Sequence, residues 1–213
     1  MSRYTEPEWS KSALITVDTQ CDTLDGQPFE IPGTSAILPR MRTLLQAYRS
    51  AEMPIIHIVR IYKADGSNVD LCRKELVEQG ATLVLAGSSG CRLAPELLPQ
   101  AGVELDLDLL LSGGIQFLNS REVVIYKPRW GAFYNTPLEQ YLRKQGISTL
   151  VFSGCNFPNC PRASIYEASE RDFRVVLVED AISGLYDQGR FEMGNIGVNL
   201  FSSGQVIDAI GRE

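Results

Sequence analysis

Three side chains able to do chemistry together stand just beyond apolar runs. Asp18 follows Ala13-Leu14-Ile15-Thr16-Val17, Lys127 follows Val123-Val124-Ile125-Tyr126, and Cys160 comes a short turn after Thr149-Leu150-Val151-Phe152-Ser153-Gly154. An ionised thiol is a strong nucleophile, but it needs a proton acceptor or a cation beside it. Asp18 is suited to take the thiol proton and return it to a leaving nitrogen, and Lys127 to stabilise both anions. A cysteine just before a helix also faces unpaired N–H groups and the positive end of the helix dipole, which favour the thiolate. Backbone N–H groups in the turn from Cys155 to Cys160 can receive an oxyanion. The single histidine, His57, restricts any Cys-His mechanism to one candidate. It lies inside the apolar run Ile55-Ile56-His57-Ile58-Val59, so it reads as a packed strand residue rather than as the base.

The elements that must hold these residues can be read from periodicity. Continuous apolar runs are the mark of strands buried on both faces of a parallel sheet. Strands are expected over 13–17, 55–59, 123–126, 149–152 and 173–178, with a short sixth near 205–207. Helices are expected over 35–53, 69–79, 136–146 and 187–201, and from Cys160 onward; Ser35 and Thr136 are the cap candidates. Residues 81–122 carry Gly87, Gly90, Pro95, Pro99, Gly113 and Gly114, and read as loops around short elements, a small hairpin or a lid. The alternation predicts an α/β fold over residues 1–213 as one domain: three-layer αβα, with a six-stranded, mainly parallel sheet and helices on both faces. Right-handed connections then gather the strand C-termini on one edge, where open α/β sheets bind ligands.

Composition narrows the function classes. With 213 residues, 44% of them hydrophobic, and a net charge of −6, the chain is not expected to bind nucleic acid or an anionic membrane. No apolar run is long enough to cross a bilayer, and the opening MSRYTEPEWSKS lacks the apolar centre of a secretory leader. Five widely spaced cysteines, an odd number, argue against a disulfide framework or a zinc cluster and for a reducing cytoplasm. The expected partner is a small-molecule substrate, with no metal and no cofactor.

Three segments together resemble the isochorismatase-like cysteine hydrolases, which include nicotinamidases and N-carbamoylsarcosine amidohydrolases. ALITVDTQ is similar to the family's first-strand motif, with Asp18 in place of the catalytic aspartate. VVIYKPRWGAFYNTPLEQYLRKQGI is similar to the lysine segment, with Lys127 as that lysine and Phe133 and Thr136 at matching positions. GCNFPNC, followed by a helix and a strand ending in Glu179-Asp180-Ala181, resembles the nucleophile segment, with Cys160 as nucleophile. The resemblance implies hydrolysis of an amide or carbamoyl C–N bond through a thioester. It also implies an oxyanion hole from the N–H groups of Asn156 and Cys160, a cis Cys155–Asn156 peptide, and a homodimer or homotetramer.

The chain departs from that pattern at Phe157, Pro158 and Pro161 in the nucleophile turn, and in a longer stretch over 102–119. The Asp-x-His metal segment of nicotinamidases is replaced by Arg60-Ile61-Tyr62-Lys63. Arg60, Tyr62, Trp130, Phe133, Tyr134 and Phe157 are the substrate-pocket candidates, with a packed or solvated role as the competing reading of each. Two other functions remain in view: isochorismatase-type hydrolysis of a vinyl ether, which needs no thiol nucleophile, and a non-catalytic α/β binding protein.

Overall fold

The computed structural model describes residues 2–212. Its elements in chain order are β1 (Ser12–Val17), α1 (Thr34–Ser50), β2 (Ile55–Val59), α2 (Lys74–Glu78), α3 (Leu107–Leu111), β3 (Ile115–Phe117), β4 (Glu122–Tyr126), α4 (Leu138–Lys144), β5 (Thr149–Gly154), α5 (Cys160–Ser169), β6 (Arg174–Ile182), α6 (Asp187–Asn195), β7 (Asn199–Phe201) and α7 (Ser203–Ile210). The sheet has seven strands in the order β3-β4-β2-β1-β5-β6-β7. Every neighbouring pair is parallel except β3–β4, a hairpin at one edge.

Because successive strand residues point to opposite faces, the apolar runs feed two cores. Ala13, Ile15 and Val17 pack with Ile56, Ile58, Leu150 and Phe152 beneath α4 and α5. Leu14, Ile55 and Val151 pack on the other face against Met41, Leu44 and Tyr48 of α1 and Val206 of α7. β1, β2, β4 and β5 are buried along their whole length, which is why they lack alternation. The chain winds outward from β1 through β2 to β4, then crosses back to place β5 on β1's other side. That reversal makes the C-terminal end of β1 the switch point of the sheet, where a crevice opens between diverging connections.

Four expectations need correction. The sheet has seven strands, not six: β3 and β7 are three-residue strands, too short to announce themselves by periodicity. Residues 205–207, expected as a strand, lie in α7, where Val206 and Ile210 are buried four residues apart. Ser202 and Gln205 cap that helix reciprocally, the Ser202 N–H donating to Gln205 Oε1 at 2.8 Å and the Gln205 N–H to Ser202 Oγ at 3.3 Å. The helix expected over 187–201 stops at Asn195, and the chain turns through Gly197 at φ +78° into β7. The helix expected over 69–79 is one 3-10 turn, Leu71–Arg73, leading into the short α2, and neither has a buried residue to hold it longer.

His57 lies in the sheet as expected, and its ring joins a buried polar chain. Thr16 Oγ1 lies 2.7 Å from Nδ1, and Nε2 meets Glu122 Oε1 at 2.8 Å. Arg49 grips the same carboxylate with Nε at 3.0 Å and Nη2 at 2.6 Å. Burial by itself would raise the Glu122 carboxyl. The hydrogen bonds of His57 and Arg49, with the charge beside them, outweigh burial and hold it at about 2. A depressed folded-state value stabilises the protein above the ordinary carboxylate range, and that stability is lost as pH falls toward 2. The shift corresponds to about 3 kcal/mol. Glu122→Gln is therefore expected to lower unfolding free energy by about that amount at pH 7, in urea titrations read by fluorescence. The gap between variant and wild type should narrow steadily from pH 4.5 toward pH 2; a constant gap would contradict the assignment.

Candidate active site

Backbone ladders set Asp18, Lys127 and the turn that leads to Cys160. The Asp18 N–H donates to Ile58 O at 2.9 Å, the Lys127 N–H to Val59 O at 3.0 Å, and the Cys155 N–H to Val17 O at 2.8 Å. Asp18 adopts φ +48°, left-handed backbone that a non-glycine residue enters at a cost and that is common at functional turns. Beside it, Gly154 has φ +117°, and a Cβ there would come within 2.4 Å of Val17 O. Only glycine lets β5 pass that close to the end of β1 and deliver its turn to Asp18.

The side chains converge. Lys127 Nζ lies 2.8 Å from Asp18 Oδ2; the lysine side chain is fully buried and that of Asp18 is 12% exposed. Lys127 Nζ also donates to Arg129 O at 3.2 Å, while Asp18 Oδ1 is buried without a hydrogen-bond partner. Cys160 is the first residue of α5 and is followed by Pro161, whose missing N–H is harmless in a first turn. Ser164 Oγ donates to Cys160 O at 2.7 Å and accepts from the Ala132 N–H at 3.0 Å, fastening the start of α5 to the loop after Lys127.

The expected thiolate is not the resting form. The Cys160 thiol is pushed up to about 11, first by burial and then by the Asp18 charge; Lys127 and Arg60 pull the other way without prevailing. The helix dipole falls short because the sulfur is almost wholly desolvated and faces a carboxylate. At neutral pH the Cys160 thiol therefore keeps its proton.

The Cys155–Asn156 peptide is trans, against the expectation of a cis bond; no cis peptide occurs among the described residues. The chain reverses instead through Gly154 and a short turn in which the Asn159 N–H donates to Asn156 O at 3.1 Å. The Phe157 N–H donates to Ser183 O at 2.8 Å, tying the turn to the end of β6. The N–H groups of Asn156 and Cys160 donate to no backbone carbonyl. Both residues line a cleft of about 220 Å³, along with Asp18 and Arg60. That is room for on the order of seven waters, and so for a small molecule.

Of the pocket candidates, only Arg60 lines this cleft. Phe157 is fully buried, its ring edge-on to Tyr186 at 5.5 Å and against Gly189, so it packs α6 onto the turn. Phe133 belongs to the core beside Phe173, and Tyr134 is half exposed. Tyr62 and Trp130 stand behind the wall: the Tyr62 hydroxyl donates to Asp70 Oδ2 at 2.6 Å, and Trp130 lies 5.8 Å from the Arg60 guanidinium and 5.0 Å from that of Arg73.

Lining residues that sequence reasoning missed include Gln20, Glu30, Arg73, Leu83, Val84 and Asn159. Gln20 carried a signal, two residues past Asp18. It accepts the Arg60 N–H at 2.8 Å and donates to Arg60 O at 2.8 Å, fixing the end of β2 beside β1. Leu83 and Val84 come from the stretch that read as loops or a lid, held by the Val84 N–H on Asp22 Oδ2 at 2.6 Å.

Nicotinamidase-type metal binding does not fit this wall. A guanidinium and a phenol stand where carboxylate and imidazole ligands would be needed, and the described residues contain no cluster of three His, Cys, Asp or Glu side chains able to hold an ion. No described helix is long and apolar enough to cross a membrane.

Fold and site together define an open α/β domain with a Cys-Asp-Lys constellation at the switch point of its sheet. A family model described as Isochorismatase domain matches residues 12–105 and 113–196, and the chain belongs to that family. An isochorismatase family protein from Desulfovibrio vulgaris superposes with a TM-score of 0.79 at 29% identity, over 95% of this chain and 99% of that one. A probable inactive nicotinamidase of Arabidopsis thaliana is 26% identical over 196 residues, 89% of this chain and 91% of its own. A ureidoacrylate amidohydrolase of Methylobacterium radiotolerans is 26% identical over 187 residues, 79% of this chain and 65% of its own.

Proposed function

We propose that the protein is a cysteine-dependent hydrolase that cleaves an amide or carbamoyl C–N bond of a small molecule through a thioester at Cys160. One observation carries this reading: Asp18 and Cys160 line the same small cleft, and the fully buried Lys127 ammonium stands 2.8 Å behind the Asp18 carboxylate. Family membership and an amidohydrolase among the relatives support it.

The steps follow from the protonation state. The substrate carbonyl oxygen lies toward the N–H groups of Asn156 and Cys160. As Sγ attacks the carbonyl carbon, the thiol proton moves to Asp18, and the C=O pair becomes an oxyanion held by those two donors. Asp18 then passes the proton to the substrate nitrogen, the C–N bond breaks, and ammonia or an amine leaves. Water attacks the thioester while Asp18 takes its proton; the C–S bond breaks and the thiol regains a proton. Throughout, Lys127 keeps a positive charge beside Asp18 and the sulfur, lowering the cost of each anion in a desolvated site.

The test is direct. Incubation with a panel of short primary amides and ureides, quenched in acid, is expected to give ammonia and an acyl or carbamoyl mass increment on the peptide holding Cys160. A panel that yields ammonia without any increment, from a variant lacking the thiol as readily as from wild type, would remove the thioester. No ammonia and no increment from any member would favour a non-catalytic binding protein.

A further inference from the structure

The wall of the cleft holds a buried cation whose donors are only partly used. Arg60 is 3% exposed, yet only one of its nitrogens is engaged: Nη1 donates to Asp70 Oδ2 at 2.9 Å and to Pro128 O at 2.7 Å. Nε and Nη2 are buried and have no partner. Those two nitrogens make up one edge of the guanidinium, the fork that receives both oxygens of a carboxylate. A buried N–H with nothing to donate to is costly, and a buried guanidinium edge doubly so.

Arg73 adds a second guanidinium to the same wall. Its Nη1 donates to the Tyr62 hydroxyl at 3.1 Å, and Trp130 lies under both arginines. Asp70 pairs with Arg60 and also faces Arg129 at 3.8 Å, so two guanidiniums share that carboxylate; Arg73 has no ion pair among the described residues, and the other anion acting on Arg60 from the cleft is Asp18. Glu30, the exposed carboxylate of the lining, is turned to the Gly26 N–H at 2.6 Å. The residues are also pre-set: Gln20 fixes the Arg60 backbone, while Tyr62, Asp70 and Trp130 fix the two guanidiniums. A rigid pair of donors that lacks an acceptor is a site built for an anion.

We propose that Arg60 and Arg73 form a carboxylate-binding subsite in the wall of the Cys160 cleft, and that the molecule hydrolysed there is a short amide or ureide bearing a carboxylate. The subsite stands on the cleft's own geometry; calling its occupant the substrate rests on the function proposed above. A planar carboxylate fits the side edge of Arg60, and Arg73 supplies the second charge. The small cleft keeps carboxylate and scissile carbonyl only a few bonds apart.

Calorimetry on the full chain carrying Cys160→Ala tests binding apart from catalysis. The probes are malonamate, succinamate and glutaramate, each paired with its neutral diamide, and inorganic phosphate. At least one monoamide is expected to bind tenfold or more tightly than its diamide. Arg73→Met should erase that preference, as should Arg60→Lys, which keeps the charge and loses the fork. Arg73 is only partly buried, so its variant reports even if changes at Arg60 disturb folding. Equal affinity for every acid–amide pair would overturn the subsite, as would a preference that survives Arg73→Met. Phosphate bound as tightly as the best monoamide would overturn the carboxylate assignment. Ammonia release by the wild-type enzyme separates the two claims. Preference without any turnover keeps the subsite and sinks the thioester; equal turnover of acid and diamide does the reverse.

Discussion

Asp18→Asn will make Cys160 easier to alkylate while making the enzyme nearly inert. In the wild type, the Asp18 charge is the force that, after burial, pushes the thiol up to about 11. At pH 7 a group at 11 is ionised in roughly one molecule in ten thousand. Asparagine removes the opposing charge and leaves Lys127 and Arg60, both of which favour the thiolate. Each unit by which the thiol falls raises the thiolate population at neutral pH by about tenfold and, since a less basic thiolate is less nucleophilic, the iodoacetamide rate by about threefold. Turnover must move the other way, because asparagine can neither accept the thiol proton nor deliver one to the leaving nitrogen; the expected loss is about 10³-fold. Cys160→Ala provides the floor, with at least about 10⁴-fold loss of turnover and a melting temperature within a few degrees of wild type, since the change trims only a sulfur atom. Alkylation rates measured from pH 6 to 10 decide the matter. If Asp18→Asn reacts more slowly than wild type across that range, Asp18 is not what holds the proton on sulfur.

That prediction needed the structure, although its participants were legible beforehand. Asp18, Lys127 and Cys160 lie just past buried parallel strands, whose apolar runs are unambiguous and whose ends share one edge by the handedness of the crossovers. The meeting of these three residues at one sheet edge could therefore be assembled from local signals. The thiol's protonation could not, because it depends on how fully the folded chain desolvates sulfur and how closely a carboxylate faces it. The binding side was less legible still. Arg73 lies in a polar segment with no buried face, and only the fold shows that Trp130, far away in the chain, brings it beside Arg60. Phe157 misled for the converse reason: an aromatic in the nucleophile turn suggested a pocket, but α6 packs over it through Gly189. At the C-terminus, Val206 and Ile207 looked like a strand in isolation. The Ser202–Gln205 capping pair in front of them was the better signal, and it announces a helix.

Lys127→Met will damage both stability and catalysis, and the two effects can be separated. Methionine matches the lysine stem in size, so the cavity cost is small; the lost ammonium is what matters. Removing one partner of a buried ion pair leaves the other uncompensated and typically costs about 3–5 kcal/mol. Asp18 is 12% exposed, and water can reach it, which places the expectation near the lower figure, about 3 kcal/mol at pH 7 in urea unfolding. The variant also loses the larger of the two cations that pull the Cys160 thiol down, so alkylation should slow relative to wild type, opposite to Asp18→Asn. Turnover should fall by about 10³-fold or more, since every anion in the cycle forms without its counter-charge. Combining the two changes gives the decisive comparison. Asp18→Asn/Lys127→Met leaves no charge stranded, so the double variant is expected to be more stable than Lys127→Met alone, with a coupling energy of about 1–3 kcal/mol, while remaining inactive. A double variant whose loss of stability equals the sum of the single losses would mean that the two side chains do not act as a pair. Recovery of stability without recovery of turnover would show that the buried pair is retained for catalysis, since the fold alone is better served by two neutral groups.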